Sequence, residues 1–184
     1  MVYFDNAGED HTEKTLQIAK DEALKRGIRF LVVASTSGNT GLRAAQLLQN
    51  TGIKLVVVGH STGHKEMGQQ LMDKEIKKKI ETLGAVVFIG TDVLTSFAHA
   101  MKEKGRFSEW SLIADALRMF GSGTKVCVEI VAMASDANLL PIEDVIAVAG
   151  TVRGANTSLI VAANSTNQFF NIKVKEILAK PSKF

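Results

Sequence analysis

Ser35-Thr36-Ser37-Gly38-Asn39-Thr40-Gly41 is the segment whose residue types best suit chemistry. Ser35, Ser37 and Thr40 offer hydroxyl donors without bulk, and Gly38 and Gly41 let the backbone turn tightly toward an anion. A helix that starts here adds unpaired N–H groups and about half a positive charge at its first turn. Together these make a phosphate nest. The plainer reading is a helix cap by Ser37 or Asn39. A cap needs one such residue, however, and the whole segment is polar or glycine. A carboxylate at Gly38 is therefore expected to weaken phosphate binding more than tenfold, about 1.4 kcal/mol.

Other polar loops are weaker candidates. Gly150-Thr151-Val152-Arg153-Gly154-Ala155-Asn156-Thr157 has glycines that permit close approach to a planar ligand, with Thr151, Asn156 and Thr157 as hydrogen-bonding groups. An ordinary hairpin loop would also carry Gly and Asn. In Gly59-His60-Ser61-Thr62-Gly63-His64-Lys65, Ser61 and Thr62 are expected to touch a ligand, as is Thr91 of Gly90-Thr91-Asp92. Asp92 reads only as a cap for the next helix. His60 and His64 have a spacing that suits a metal pair on a helix, but the stretch reads as a loop and no third ligand is evident, so no metal site is expected. No Walker A loop and no Gly-x-Gly-x-x-Gly occurs, which disfavours ATP hydrolysis and NAD binding of the usual kinds.

The elements that must position these loops alternate along the chain. Asp10 to Arg26 reads as a helix, with Asp10 and Glu13 as a capping box and Gly27 as the stop. Strands are expected at Ile28–Ala34, Ile53–Val58, Ala85–Ile89 and Val126–Ala132, each a short apolar run rich in β-branched residues. Helical spacing recurs in Leu42/Ala45/Leu48, closed by Gly52, and in Met72/Ile76/Ile80/Leu83. It recurs again in Leu94/Phe97/Met101 and in Ile113/Leu117/Phe120, with Ser108 as N-cap of the last. Val145–Ala149 and Leu159–Ala163 are separated by too few residues for a crossover helix, so they should pair as an antiparallel hairpin at a sheet edge. Lys173–Ala179 reads as a short helix stopped by Pro181.

This is the pattern of a single α/β domain over residues 1–184, with three layers, helices on both faces and a mostly parallel sheet ending in an antiparallel hairpin. Ligands of such sheets sit outside the carboxyl ends of the strands, where all four loops are expected. The chain has 184 residues, 46% hydrophobic and 22% charged, with a net charge of +3. That charge is too small and dispersed to imply a nucleic-acid partner. No apolar run is long enough to span a membrane, and Met1–Asp10 lacks the pattern of a secretory leader. Cys127 is the sole cysteine, so a cytosolic setting is expected and Cys127 reads as a buried small hydrophobe. Phe169-Phe170 reads either as a contact in a homo-oligomer or as burial under the sheet.

Ser35-x-Ser37-Gly38-Asn39-Thr40 resembles the flavodoxin phosphate loop, Ser/Thr-x-Thr-Gly-x-Thr, departing at Ser37. It also resembles the effector-phosphate loop of the pyruvate kinase C-terminal domain, Thr-x-Ser-Gly-x-Ser. The helix before the first long strand and the terminal hairpin look like the latter. More closely, nearly the whole chain resembles a family of stand-alone, largely archaeal proteins with that domain's fold. The likeness is carried by Ala34–Gly41, Val131–Ala137, Val145–Thr157 and Glu176–Pro181. It implies a flavoprotein that binds FMN through Ser35, Thr36, Ser37, Gly38, Asn39, Thr40 and Gly41. It strengthens ligand contacts from Gly150, Thr151, Arg153, Gly154, Ala155, Asn156 and Thr157. Pyruvate kinase activity is not implied, because the catalytic barrel is absent. The alternative function is a regulatory binding domain for a phosphorylated metabolite, without catalysis. A phosphate-ester enzyme ranks below both, because no carboxylate cluster for Mg²⁺ lies near the loop.

Overall fold

Apolar β-branched runs become strands and the spaced apolar faces become helices in the computed structural model, which describes every residue except Val152. In chain order the elements are β1 (Val2–Asn6), α1 (Thr12–Arg26), β2 (Phe30–Ala34), α2 (Asn39–Leu47), β3 (Lys54–Gly59), α3 (Lys74–Thr82) and β4 (Val86–Ile89). There follow α4 (Ser96–Glu103), α5 (Glu109–Arg118), α6 (Ser122–Asp136), β5 (Asp144–Ala149), β6 (Thr157–Ala162) and β7 (Lys173–Lys183). Among the described residues, seven strands make one sheet in the order β1-β7-β6-β5-β2-β3-β4. The pairs β1–β7, β2–β3, β2–β5 and β3–β4 are parallel; β5–β6 and β6–β7 are antiparallel. The fold class is thus the expected α/β, mostly parallel with antiparallel C-terminal strands.

Side-chain alternation builds a core on each face of the sheet. Leu31, Val33, Leu55, Val57, Ile146 and Val148 point to one face, where α1, α2 and α3 lay Leu16, Ala19, Ala44, Ala45 and Ile80. Val32, Val56, Val58, Val145, Ala147 and Leu159 point to the other, against Cys127, Ile130, Val131 and Ala134 of α6. No helix among the described residues is long and apolar enough to cross a membrane.

Several expectations are corrected. Val126–Ala132 is the middle of α6, not a strand. Eleven of its fifteen residues are buried, between the sheet on one side and α5 on the other. A helix buried nearly all round has no polar stripe, so its Val-Cys-Val run looks like a strand in sequence. Lys173–Ala179 belongs to β7, not to a helix. β6 pairs along one side of it and β1 along the other, and these tertiary pairings override the helix-forming Glu176, Leu178 and Ala179. Pro181 lies beyond Ala179, the last residue matched to β6, where a missing N–H is tolerated. The β5–β6 hairpin is antiparallel as expected but interior, because β7 and β1 extend the sheet past it. β1 is a strand the sequence does not announce, since only Phe4 of its residues is buried and no apolar alternation results.

Helix ends show the same mixture. Gly27 does stop α1, with φ of 67° and its N–H turned back onto Ala23 and Leu24. The capping box at Asp10 and Glu13 does not form. Glu9–His11 makes a 3-10 turn, α1 starts at Thr12, and Glu13 faces Arg43 at 3.5 Å instead. Ser108 is the N-cap residue of α5, though its side chain makes no capping bond. Phe170 is exposed, with its ring set edge-on to Phe169 at 5.7 Å.

Cys127 is fully buried, and that burial pushes its thiol far above the ordinary range. Native protein should react with an aromatic disulfide reagent at least about a hundredfold more slowly than urea-unfolded protein, since only opened molecules expose a thiolate. Equal labelling rates in the two states would show that α6 does not seal this residue from solvent.

Candidate functional site at the strand carboxyl ends

The loops after β2, β3, β4 and β5 lie at one end of four adjacent parallel strands, ordered β5-β2-β3-β4. From β2 the chain crosses through α2, on the first face, to β3. It reaches β5 through α6, on the opposite face. The order therefore reverses between β2 and β5, and the crevice of a doubly wound sheet opens at such a switch point. The loops Ser35–Gly41 and Gly150–Thr157 follow the two strands that meet at this switch point, β2 and β5.

The first loop is shaped by a few internal bonds. Ser35 N–H donates to Val58 O at 2.9 Å, and Ser35 Oγ accepts from Gly41 N at 3.1 Å, which closes the turn. Ser37 O accepts from Asp73 N at 3.3 Å. Gly38 is the N-cap of α2 at φ of 96°, in the left-handed region. A Cβ there would stand 2.6 Å from Ile76 Cγ2, so glycine serves both conformation and packing. Among the described residues, no protein acceptor takes the N–H of Thr36, Ser37, Gly38, Asn39 or Thr40. The hydroxyls of Thr36, Ser37 and Thr40 likewise have no protein partner. Thr36, Ser37 and Asn39 are exposed. The N-cap Gly38 has no side chain, and Ser35 Oγ takes only the Gly41 N–H in the first turn of α2, so capping accounts for Ser35 and not for the hydroxyls of Thr36, Ser37 and Thr40.

The second loop is divided. Ala155, Asn156 and Thr157 are buried and internally bonded. Asn156 N donates to Ala149 O at 3.0 Å, Asn156 Oδ1 accepts from Thr157 Oγ1 at 3.1 Å, and Ala155 N donates to Thr12 Oγ1 at 2.9 Å. Thr157 is further covered by Gly123 of α6, where a Cβ would lie 2.2 Å from Thr157 Oγ1. Arg153 is exposed, and Gly150, Thr151 and Gly154 are half-exposed, so these four are the part open to a ligand. Val152 lies outside the described residues.

The loop after β3 meets the loop after β4. His60 Nδ1 is 3.2 Å from Asp92 Oδ1, while Ser61 Oγ and Ser96 Oγ donate to Asp92 Oδ2 at 3.0 and 3.2 Å. The His60 and His64 rings stack with centroids 3.9 Å apart. Gln70 holds the loop's shape, donating to His60 O at 3.1 Å and to Thr62 Oγ1 at 3.2 Å. Thr91 is exposed beside Asp92. Burial works to raise the Asp92 carboxyl, but the hydrogen bond and charge of His60, with Ser61 and Ser96, hold it below the usual carboxylate range. Burial pushes His64 down, and the charge of His60 adds to that.

Behind this corner lies a buried ion pair, Lys125–Glu129, one turn apart on α6. Glu129 Oε1 accepts from Leu94 N at 2.8 Å and from Thr95 Oγ1 at 3.2 Å, which ties α6 to the turn after Asp92. Burial lowers the Lys125 ammonium, and the charge of Glu129 opposes that.

Sequence reasoning missed Asp92 as the partner of His60, and missed Lys125 and Glu129 altogether. The His–Asp pairing follows from the register Gly59↔Ile89, which sets the residues after β3 beside those after β4. Only strand pairing carries that signal. The Lys–Glu pair was legible as an i, i+4 spacing, but the strand reading of Val126–Ala132 hid it.

No family model matches the sequence. The fold is similar to that of Cryptosporidium parvum pyruvate kinase in complex with ADP, at 15% identity over 83% of this chain and 24% of that one, with a TM-score of 0.45. A second pyruvate kinase structure from Cryptosporidium parvum is similar at 14% identity over 83% of this chain and 23% of that one, with a TM-score of 0.44. O-ureido-L-serine synthase is similar at 21% identity over 62% of this chain and 30% of that one, with a TM-score of 0.32. The chain spans less than a third of the length of each of these proteins.

Proposed function

We propose that the protein binds the phosphate of a phosphorylated small molecule at the head of α2, with FMN as the ligand to test first. The observation that carries this reading is the run of amides from Thr36 to Thr40 with no acceptor among the described residues, flanked by the hydroxyls of Thr36, Ser37 and Thr40, which have no partner among them either. A phosphate dianion would accept from these donors and lie at the positive end of the α2 dipole. The flavin half rests on different support: the resemblance to FMN-binding proteins, and the position of the loop at a switch point, where doubly wound sheets hold this cofactor. Thr151 and Arg153 would face the ligand from the second loop. The single buried cysteine suits a cytosolic setting.

The loop Ser35–Gly41 contains no acid, base or imidazole, which favours a binding role and keeps a regulatory domain for another phosphate monoester as the second reading. Fluorescence titration with FMN and with riboflavin tests both, because the two ligands differ only in the phosphate. FMN should bind at least a hundredfold more tightly, about 2.8 kcal/mol. Equal affinities would remove the loop from the phosphate's site. A colourless protein that ignores FMN yet binds another phosphate monoester would establish the second reading.

A further inference from the structure

Asp92 is 5% exposed, and its two oxygens are aimed by different partners. Ser61 and Ser96 hold Oδ2, and Oδ1 faces His60 Nδ1. Closure of the turn before α4, where Ser96 Oγ accepts from Asp92 N and donates to Asp92 Oδ2, accounts for Asp92 and Ser96, and an Asp–His hydrogen bond accounts for His60. Neither accounts for His64, an exposed loop residue whose ring lies against His60 rather than in water. One ligand atom from each of His60, His64 and Asp92 falls within 4.8 Å of the others.

We propose that His60, His64 and Asp92 bind a divalent first-row transition metal ion. Two imidazoles and one carboxylate suit Zn²⁺, Co²⁺ or Fe²⁺ better than Mg²⁺ or Ca²⁺, which prefer oxygen donors alone. Three protein ligands leave at least one coordination position for water or for an oxygen of a small molecule. The serines that orient Asp92 play the part that outer hydrogen bonds play around metal ligands. Each ring nitrogen must meet the ion in its own ring plane, so the parallel imidazoles cannot bind it as stacked. Rotation of the exposed His64 side chain would open the stack, with Asp92 held by Ser61 and Ser96 and with His60 one residue past the end of β3. The three ligands share no residue with the loop Ser35–Gly41, and their proposal does not depend on what that loop binds.

Chelator-treated protein titrated with Co²⁺ tests the proposal directly. One equivalent should bind with visible ligand-field absorption, and Zn²⁺ should bleach it. His60→Ala, His64→Ala and Asp92→Asn should each weaken binding at least tenfold. His11→Ala, whose ring stacks instead on Phe4, should leave affinity within twofold. His64 is in an exposed loop, so its variant tests the ligand set even if Asp92→Asn loosens the start of α4. Absence of ligand-field absorption overturns the proposal, as does Co²⁺ binding that survives in the His60→Ala/His64→Ala double variant.

Discussion

Lys125→Met is expected to cost about 3–5 kcal/mol of folding stability, the range for stranding one partner of a buried ion pair. Lys125 and Glu129 are each 4% exposed, and their charges meet through a direct hydrogen bond. Met fills the space of the lysine stem but leaves the Glu129 carboxylate with only Leu94 N and Thr95 Oγ1 as donors among the described residues. Those two bonds offset part of the loss and cannot supply a counter-charge. The double variant Lys125→Met/Glu129→Leu should recover much of the stability, because it removes both charges together. Urea midpoints at constant m-value measure all three proteins. A loss below about 1 kcal/mol in the single variant would mean that water reaches Glu129.

Ser37→Asp should weaken FMN binding at least a hundredfold, about 2.8 kcal/mol. A carboxylate among the amides of Thr36–Thr40 would occupy the donors proposed for phosphate and repel the dianion besides. Ser37→Ala, which removes one hydroxyl, should cost only about 1 kcal/mol. The contrast between the two separates charge from a lost hydrogen bond. Gly38→Asp, the substitution the sequence suggests, is a poorer probe. Its Cβ would press on Ile76 and its backbone would be held in the left-handed region, so weakened binding could reflect a displaced loop. Unchanged FMN affinity in Ser37→Asp would remove the loop as the phosphate site, whatever the protein's stability.

The elements that were legible in sequence are those with local causes. Gly27 stops α1 because only the left-handed region satisfies the helix's last carbonyls there. β2 and β3 are legible as short β-branched runs between turns, which is why the residue pattern alone places the polar loops after them at strand ends. The misread elements are those whose environment is made by distant parts of the chain. α6 is buried on two sides, so its periodicity is erased. β7 is a strand because β1 and β6 hold it, against its own helix-forming residues.

The candidate site divides in the same way. The donors of Ser35–Gly41 come from seven consecutive residues and one helix start, so residue types along the chain were enough to single that segment out. The sealing of Asn156 and Thr157 beneath α6, and the meeting of His60 and His64 with Asp92, depend on the sheet. Register between β3 and β4 brings residues about thirty positions apart to hydrogen-bonding distance. Sequence spacing holds no trace of that distance, because backbone pairing across the sheet sets it and not the side chains that meet there.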